Sequence, residues 1–288
     1  MGLYQGHSNG LLEDLKIGLD NGLGNGLAQG MVDISGANGL CVETIKWLSE
    51  LPIIPDRIII NAVDVFLKKC VLNGNIYRID KILLLAQDKK ENILTSLISP
   101  KQTKATFVNT TTFTPYKGYV GGGTAYINTQ WNDASNGIYY NLTTGGQYGY
   151  YCRTAEAGNY VDCGSIQSAG RWSWYAGNYG GTLYAIINST NYYNQASSGA
   201  IGHYSIRGTG NAQFAYKNGV FISPSPAGGG QSTNNQNHYI GGRNNAGALD
   251  SASPRQYSLW YACSYHLDPI LFHQDVKTLL TSIGAYVY

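Results

Sequence analysis

The stretch Phe214–Arg243, FAYKNGVFISPSPAGGGQSTNNQNHYIGGR, decides the predicted fold. Apolar and polar residues alternate on both sides of Asn218-Gly219. This dipeptide is the strongest short-range signal for a type I′ β-hairpin, because both residues accept a positive φ. A polar loop, Ser223–Asn237, then leads to a short predicted strand, His238–Ile240. A hairpin, a loop and a strand in this order are typical of an antiparallel β-sandwich.

The same pattern of short apolar runs and turn residues extends through residues 101–288. This part of the chain holds all of the 24 tyrosines except Tyr4 and Tyr77. A final amphipathic helix follows Asp268, and Gly284 ends it. The predicted strands are Thr106–Val108, Ala125–Thr129, Gly137–Leu142, Tyr148–Arg153, Asn159–Cys163, Arg171–Tyr175, Thr182–Asn188, Gly202–Arg207, Gln213–Lys217, Val220–Ser223, His238–Gly241 and Tyr257–Tyr265.

Residues 43–100 predict a small helical unit. Asp56 is a predicted N-cap, and the apolar residues after it recur at helical spacing until Asn73-Gly74. Asp88-Lys89-Lys90-Glu91 has the pattern of a capping box and predicts a second short helix. The run Ile82–Leu85 between them fits either a buried strand or the end of a helix, because a short apolar run does not decide between the two.

Residues 1–42 are rich in Gly-Leu dipeptides. A glycine in a helix interior costs about 1 kcal/mol relative to alanine, so a helix is disfavoured here. One interpretation is a flexible tail. The other is an assembly arm that buries its apolar residues only against other subunits, and the regular spacing of the leucines favours it. The predicted arm contacts are Leu3, Leu11, Leu19, Leu23, Leu27, Met31 and Leu40.

Composition excludes several classes of protein. Charged residues make up 12% of the chain and the net charge is +2, which gives no clustered basic face for nucleic acid. No apolar run is long enough for a membrane span, and the N-terminal residues lack the features of a signal peptide. The five cysteines match no zinc pattern and predict buried reduced thiols, with a Cys152–Cys163 bridge as the alternative.

The acidic residues do not support catalysis. A jelly-roll glycosidase needs a pair of carboxylates, yet Glu156 is the only glutamate after residue 100 and reads as the acid of a solvated turn. We therefore expect no enzyme and no cofactor. The histidines are dispersed along the chain and read as structural residues. Asp133 and Asp250 are the only crowded candidates for calcium, and the prediction is that no metal is bound.

Ligand binding remains as a function. Trp172 and Trp174 alternate along a strand and are expected to fill the core, because aromatic residues dominate such cores. Tyrosine and asparagine together make adaptable contact surfaces when they lie in loops or after strand ends. The predicted ligand-binding residues are Tyr192, Tyr193, Asn194, Arg243, Asn244 and Asn245.

Four segments together resemble a known family. These four segments, in their order along the chain, resemble the concanavalin A-like (LamG-type) jelly-roll domain of tailed-phage virion structural proteins. The resemblance covers most of residues 105–288. The segments are YVGGGTAYINTQW (Tyr119–Trp131), GHYSIRGTGNAQFAYKNGV (Gly202–Val220), YIGGRNNAG (Tyr239–Gly247) and SLWYACSYHLDPILFHQDVKTLLTSIGAY (Ser258–Tyr286).

The resemblance implies that residues 101–288 form a jelly-roll domain. Together with the sequence patterns, this gives a mainly β protein with three parts: an assembly arm (1–42), a helical linker unit (43–100) and a jelly-roll domain (101–288). The resemblance implies a head fibre, a capsid-decorating protein or a tail protein, assembled in the host cytoplasm and located in the virion. Its expected partners are further copies of itself, such as a trimer, other virion proteins and a host-surface glycan. The alternatives are a secreted bacterial carbohydrate-binding module and, less favoured, a glycan-degrading enzyme.

Overall fold

The structure of the protein is a computed structural model. It describes residues 39–139, 145–167, 171–179, 182–189, 193–196, 199–208, 212–226 and 234–287. None of the helices in this part of the chain combines the length and hydrophobicity that crossing a membrane requires.

Two β-sheets form a sandwich, which confirms the predicted mainly β fold class. Sheet A has the order β13-β12-β11-β6-β17-β4-β3, and β1 also pairs with β17. Sheet B has the order β10-β9-β8-β7-β14-β5-β2, and β15 joins β7 to β16. The pairs are antiparallel, except that β15 and β7 run parallel. The strands are β1 Ile79–Leu84, β2 Thr106–Val108, β3 Thr112–Thr114, β4 Gly118–Val120, β5 Tyr126–Asn128, β6 Gly146–Cys152, β7 Cys163–Gln167, β8 Arg171–Tyr179, β9 Thr182–Ser189, β10 Tyr193–Ala196, β11 Gly202–Gly208, β12 Ala212–Lys217, β13 Val220–Pro226, β14 Tyr239–Ile240, β15 Arg243–Asn245, β16 Ala248–Asp250 and β17 Gln256–Ser264.

Tyrosines and tryptophans dominate the core between the sheets. Because strand side chains alternate, one set of residues faces inward and the other faces the outer surface. The rings of Tyr150 and Tyr204 stack with centroids 5.3 Å apart, and Trp131 meets Trp260 edge to face at 6.1 Å. All four side chains are fully buried. These rings are among the largest fully buried side chains of the described residues.

A buried ion pair links the residues that immediately precede β7 and β17. The Arg255 guanidinium lies 3.0 Å from the Asp162 carboxylate, and both side chains are almost fully buried. The Tyr257 hydroxyl donates to Asp162 at 2.7 Å and the Tyr150 hydroxyl at 3.1 Å. Arg255 also donates to the carbonyl oxygen of Glu156. A buried charge needs a partner and hydrogen bonds, so this network fixes the loop that carries Glu156.

The helices cover part of the outer face of sheet A. The α-helices are α1 Val42–Ser49, α2 Arg57–Leu72, α3 Asp133–Asn136 and α4 Pro269–Ser282, with 3-10 turns at Asn75–Tyr77 and Glu91–Leu94. Phe272 of α4 packs on Phe66 of α2 at 6.0 Å and on Tyr261 of β17 at 5.0 Å. These residues belong to an outer apolar cluster that lies opposite the inter-sheet core.

The run that begins at Ile82 is a strand, which resolves the alternative that the sequence leaves open. It belongs to β1, which pairs antiparallel with β17 over the whole of its length. Residues 43–100 thus share sheet A and an apolar cluster with the C-terminal part of the chain. Whether residues 43–100 and 101–288 fold as separate units stays a prediction.

Three of the predicted helix boundaries are confirmed, although the Asp56 side chain forms no capping hydrogen bond. Asp56 and Asn73 flank α2, and Gly74 adopts the left-handed conformation at φ 68°. The Asp268 carboxylate accepts hydrogen bonds from the amides of Ile270 and Leu271 at the start of α4. A proline at the first turn and a capping aspartate are the standard start of a helix.

The predicted capping box at Asp88–Glu91 is wrong. No side chain caps the turn at Glu91–Leu94. The Asp88 carboxylate instead accepts a hydrogen bond from the Asp56 amide at 2.8 Å and pairs with Lys89 at 3.0 Å. The Asp88 carboxylate therefore binds the start of α2 instead of capping the turn that follows it in the sequence.

The hairpin at Asn218-Gly219 is confirmed, with φ 52° and 75° at the two turn residues. The predicted strand Gly137–Leu142 is wrong for its described residues, because the amides of Ile138 and Tyr139 donate to the Asp80 carboxylate instead of to a neighbouring strand. Residues 140–142 lie outside the described residues.

Candidate functional site

Three aromatic side chains lie together on the outer face of sheet A, on β12 and β13. Along β12 the side chains of Gln213, Ala215 and Lys217 are buried, and Phe214 and Tyr216 alternate with them and are partly exposed. Phe221 of β13 is 45% exposed and lies 5.4 Å from Tyr216 and 6.4 Å from Phe214, measured between ring centroids. We call Phe214, Tyr216 and Phe221 the aromatic strip.

A cation lies beside the aromatic strip. Arg207 of β11 pairs directly with Phe214, so the two side chains are neighbours on the same face. The Arg207 guanidinium lies 3.8 Å above the centre of the Tyr265 ring and donates to the Tyr265 carbonyl oxygen at 2.8 Å. Its Nε is buried without a hydrogen-bond partner. The guanidinium is thus fixed in orientation and keeps a donor unused.

Two further polar side chains continue this row. Gln147 of β6 pairs with Arg207, and Ser205 of β11 pairs with Tyr216. Both side chains are buried and interact with the buried Tyr261 hydroxyl. They belong to the covered part of this face, and Arg207 is the polar side chain that lies beside the exposed rings.

A histidine pair lies where the helices meet this face. The Nδ1 atoms of His203 on β11 and His273 on α4 are 3.0 Å apart, and the Nε2 of His203 lies 3.2 Å from the Tyr261 hydroxyl. Burial, and then the neighbouring charge of His273, holds the pKa of His203 well below its ordinary value. Burial also lowers the pKa of His273. Both rings are therefore neutral near pH 7, and one Nδ1–H donates to the other.

The sequence places these histidines far apart, and sequence reasoning treats them as dispersed. The site predicted from the sequence also omits the aromatic strip and Arg207. Phe214 and Tyr216 are visible in the sequence as one face of the hairpin that contains Asn218-Gly219. Whether that face is exposed depends on how far α4 extends over sheet A, which no local pattern reports.

The structure places the predicted residue Arg243 and its neighbours in the hairpin β15–β16. Arg243 forms an ion pair with Asp250. Asn244 is 3% exposed, its Nδ2 donates to the Asn237 carbonyl oxygen and its Oδ1 accepts from the Gly247 amide. Asn245 is exposed at the turn. In this group, Asn245 is the side chain best placed to reach a ligand.

The other predicted group lies at a different edge. Tyr192 lies outside the described residues. Tyr193 starts β10, a strand where the sequence predicts a loop, and Asn194 is exposed on it. β10 lies next to β13, at the sandwich edge that carries the aromatic strip. Three strands separate β10 from β15, a distance of about 19 Å at the usual strand spacing. The two predicted groups therefore do not form one site.

The predicted arm residues lie outside the described residues, apart from Leu40. Leu40 is partly buried against the outer apolar cluster. The predicted arm contacts that the structure does not describe are Leu3, Leu11, Leu19, Leu23, Leu27 and Met31.

The candidate calcium ligands have other partners. The Asp133 carboxylate accepts from the Asn234 amide at 2.9 Å, and Asp250 pairs with Arg243. Within the described ranges, no three His, Cys, Asp or Glu side chains meet as metal ligands. All five cysteines are buried free thiols, so Cys152 and Cys163 form no disulfide bond.

No protein-family model matches the chain, and no curated protein matches it. Among solved structures, the chain is similar to the binding domain of botulinum neurotoxin DC, both in complex with rat synaptotagmin II (14% identity, TM-score 0.48, 71% of this chain and 52% of that chain) and in complex with SialylT (13%, 0.46, 71% and 51%). It is also similar to the NanB sialidase from Streptococcus pneumoniae (8%, 0.34, 41% and 22%). The chain spans about half the length of the neurotoxin domains that it matches. Similarity at this level carries no argument about function.

Proposed function

We propose that this protein is a non-catalytic, glycan-binding virion protein of a tailed phage, and that the aromatic strip together with Arg207 contacts a host-surface glycan. The observation that carries the glycan-binding part is the juxtaposition of three partly exposed rings with a fixed guanidinium. An apolar platform beside a few oriented polar groups is the usual composition of a small-molecule site.

The chemistry of a sugar fits this surface. The C–H groups on one face of a pyranose ring pack against an aromatic ring, and its hydroxyls need donors and acceptors around the edge. Phe221 and Tyr216 supply the platform, and Arg207 supplies the charge-assisted donor that binds carboxylate or hydroxyl oxygens well.

The strip does not contain the groups that glycan cleavage needs. β11, β12 and β13 carry no Asp or Glu, so no pair of carboxylates lies on these strands. Glycosidic bond cleavage uses such a pair in most enzyme families. This supports binding without turnover.

The virion location rests on the resemblance of four segments to phage jelly-roll domains and on the Gly-Leu-rich arm. In this proposal the N-terminal region anchors and oligomerises the protein on the particle, and the sandwich displays the strip outward. Immunogold electron microscopy with an antibody against the sandwich is the test of location. Label on purified phage heads or tails is expected, and particles without label would reject the virion role.

The glycan proposal is tested with a glycan array probed by the full 288-residue chain. We expect the wild type to bind, and Phe221→Ser to bind at least tenfold more weakly because its ring no longer supports the sugar. Ile53→Ser, which removes a similarly exposed apolar side chain (41% against 45%) that lies outside the strip, is the matched control and should bind like the wild type. No binding by the wild type, or equal binding by Phe221→Ser, would reject the proposal.

A further inference from the structure

Helix α2 exposes an apolar stripe to solvent. Ile58, Val65 and Leu72 recur every seven residues and are 49%, 48% and 70% exposed. A seven-residue spacing places them within about 40° of one another around the helix. The opposite face of α2 is buried in the outer apolar cluster. We call Ile58, Val65 and Leu72 the α2 stripe.

Basic residues flank the α2 stripe. Arg57 is exposed, and Lys68 and Lys69 are partly exposed on its two sides. Their nearest acids lie on the inner side of the helix: Lys68 pairs with the buried Asp64 at 2.7 Å, and Lys69 pairs with the buried Asp275 at 3.5 Å. The exposed surface of α2 is therefore apolar with a basic rim.

The N-terminal part of the chain reaches α2 beside this stripe. The Nζ of Lys68 donates to the carbonyl oxygen of Gly39 at 2.7 Å, and Leu40 packs against the outer apolar cluster. The amide of Cys41 donates to Asp64 of α2 at 2.7 Å. Lys68 lies between Val65 and Leu72 along the helix, so residues 1–38 connect to the chain at the stripe itself.

These 38 residues have the complementary chemistry. Their leucines and methionine recur every four residues between Leu19 and Met31. Their only lysine or arginine is Lys16, against the four acids Glu13, Asp14, Asp20 and Asp33. An acidic segment with regular apolar residues matches an apolar surface with a basic rim in both respects.

We propose that Leu23, Leu27 and Met31 pack on the α2 stripe of their own chain. Eight Cα-to-Cα steps separate Met31 from Gly39 and span at most about 27 Å, whereas the stripe is about 21 Å long. The segment therefore reaches every part of it. A second α2 helix is a poorer occupant, because it would bring Arg57, Lys68 and Lys69 of two copies together. This inference rests on the anchoring role proposed for the arm and identifies the surface that holds the arm before assembly.

Disulfide trapping in the full chain tests the proposal. The five native cysteines are buried, so a Leu27→Cys, Val65→Cys double variant presents two new accessible thiols. Under a mild added oxidant we expect a disulfide within one chain, identified by peptide mass mapping without reduction. The control, Leu27→Cys with Val220→Cys, places the second thiol at a more exposed valine on the β12–β13 hairpin (68% against 48%) and should still cross-link at least fivefold less.

The other outcomes overturn the proposal. A disulfide between two chains would assign the stripe to the arm of a second copy, and no cross-link or equal yield in the control would remove the contact. As a second measurement, Val65→Asp should speed proteolytic cleavage within residues 19–31 several-fold, and an unchanged rate would also overturn it. Both readouts are independent of glycan binding, so failure here leaves the proposed glycan site standing.

Discussion

The two halves of the outer face of sheet A show how one sheet carries two kinds of aromatic surface. Over β1, β6 and β17, helices α2 and α4 cover the sheet, and Tyr261, Leu259 and Phe272 are fully buried. Over β12 and β13 no helix covers the described residues, and Phe214, Tyr216 and Phe221 remain partly exposed. Aromatic residues lie on strands of both halves. The halves differ in whether helices cover them. The covered aromatic residues form part of an apolar core, and the uncovered ones form a contact surface.

The border between the halves is the contact between the β12–β13 hairpin and α4. Gly219 adopts φ +75°, and a Cβ there would meet the His273 ring at 3.0 Å. The His203–His273 pair lies directly behind this contact. The border is therefore built from a glycine and two neutral imidazoles, and acid should weaken it before any other part of the face.

The largest expected effect breaks the covered half. Phe272→Ala removes a fully buried ring that packs on Phe66 and Tyr261. Such a truncation typically costs about 3–5 kcal/mol, and we expect that decrease in the free energy of unfolding. Urea denaturation followed by circular dichroism measures it. A decrease of less than about 1 kcal/mol would show that α4 contributes little to the covered half.

An intermediate effect concerns the border. The unfolded chain has histidine pKa values near 6.5, whereas burial and His273 hold the pKa of folded His203 below this value. Acid therefore protonates the unfolded chain first. The stability that this group contributes is complete above about pH 6.5 and is lost as the pH falls from there toward the folded-state pKa.

The measurement is the free energy of unfolding between pH 7.5 and pH 4.5. His203→Gln should reduce the slope in the acid range by about 1.4 kcal/mol per pH unit, the value for one proton. The groups that face His203 are His273 of α4 and Tyr261 of β17, so the variant also shifts stability at every pH. Only the slope is diagnostic. His266→Gln alters an exposed histidine and is the control; an unchanged slope in His203→Gln would contradict the assignment.

The smallest expected effect sharpens the contrast with the open half. Phe221→Ser removes a ring that is 45% exposed and lies beside Phe214 and Tyr216. Surface substitutions usually change stability by less than about 0.5 kcal/mol, and we expect a change of that size. The same urea denaturation measures it. A loss similar to that of Phe272→Ala would mean that the open half is core rather than a contact surface.

The sequence predicts features that depend on local chemistry. The hairpin at Asn218-Gly219, the ends of α2 and the start of α4 each rest on residues whose backbone or capping preferences act over a few positions. Alternation also locates most of the strands. The sandwich follows from these features, because antiparallel strands with one apolar face need a second sheet to cover them.

The site could not be predicted because it depends on distant contacts. Phe214 and Tyr261 both lie on alternating strands, and the helices packed on sheet A decide which of them is covered. The polar stretch that begins at Tyr193 has the composition of a loop, yet it pairs with β9 as a strand. The sequence places Arg243 after a predicted strand, as expected for a ligand-binding residue. In the structure its guanidinium forms an ion pair with Asp250. Each failure is a tertiary contact that a local pattern does not contain.

The pairing of β1 with β17 has a consequence for biosynthesis. β1 leaves the ribosome early, whereas its partner at residues 256–264 is among the last elements to be made. At translation rates of about 5–20 residues per second, β1 waits on the order of ten seconds or more with its edge unpaired. The covered face thus closes only after nearly all of the polypeptide has emerged, and chaperones that shield nascent strands would raise the yield of this protein.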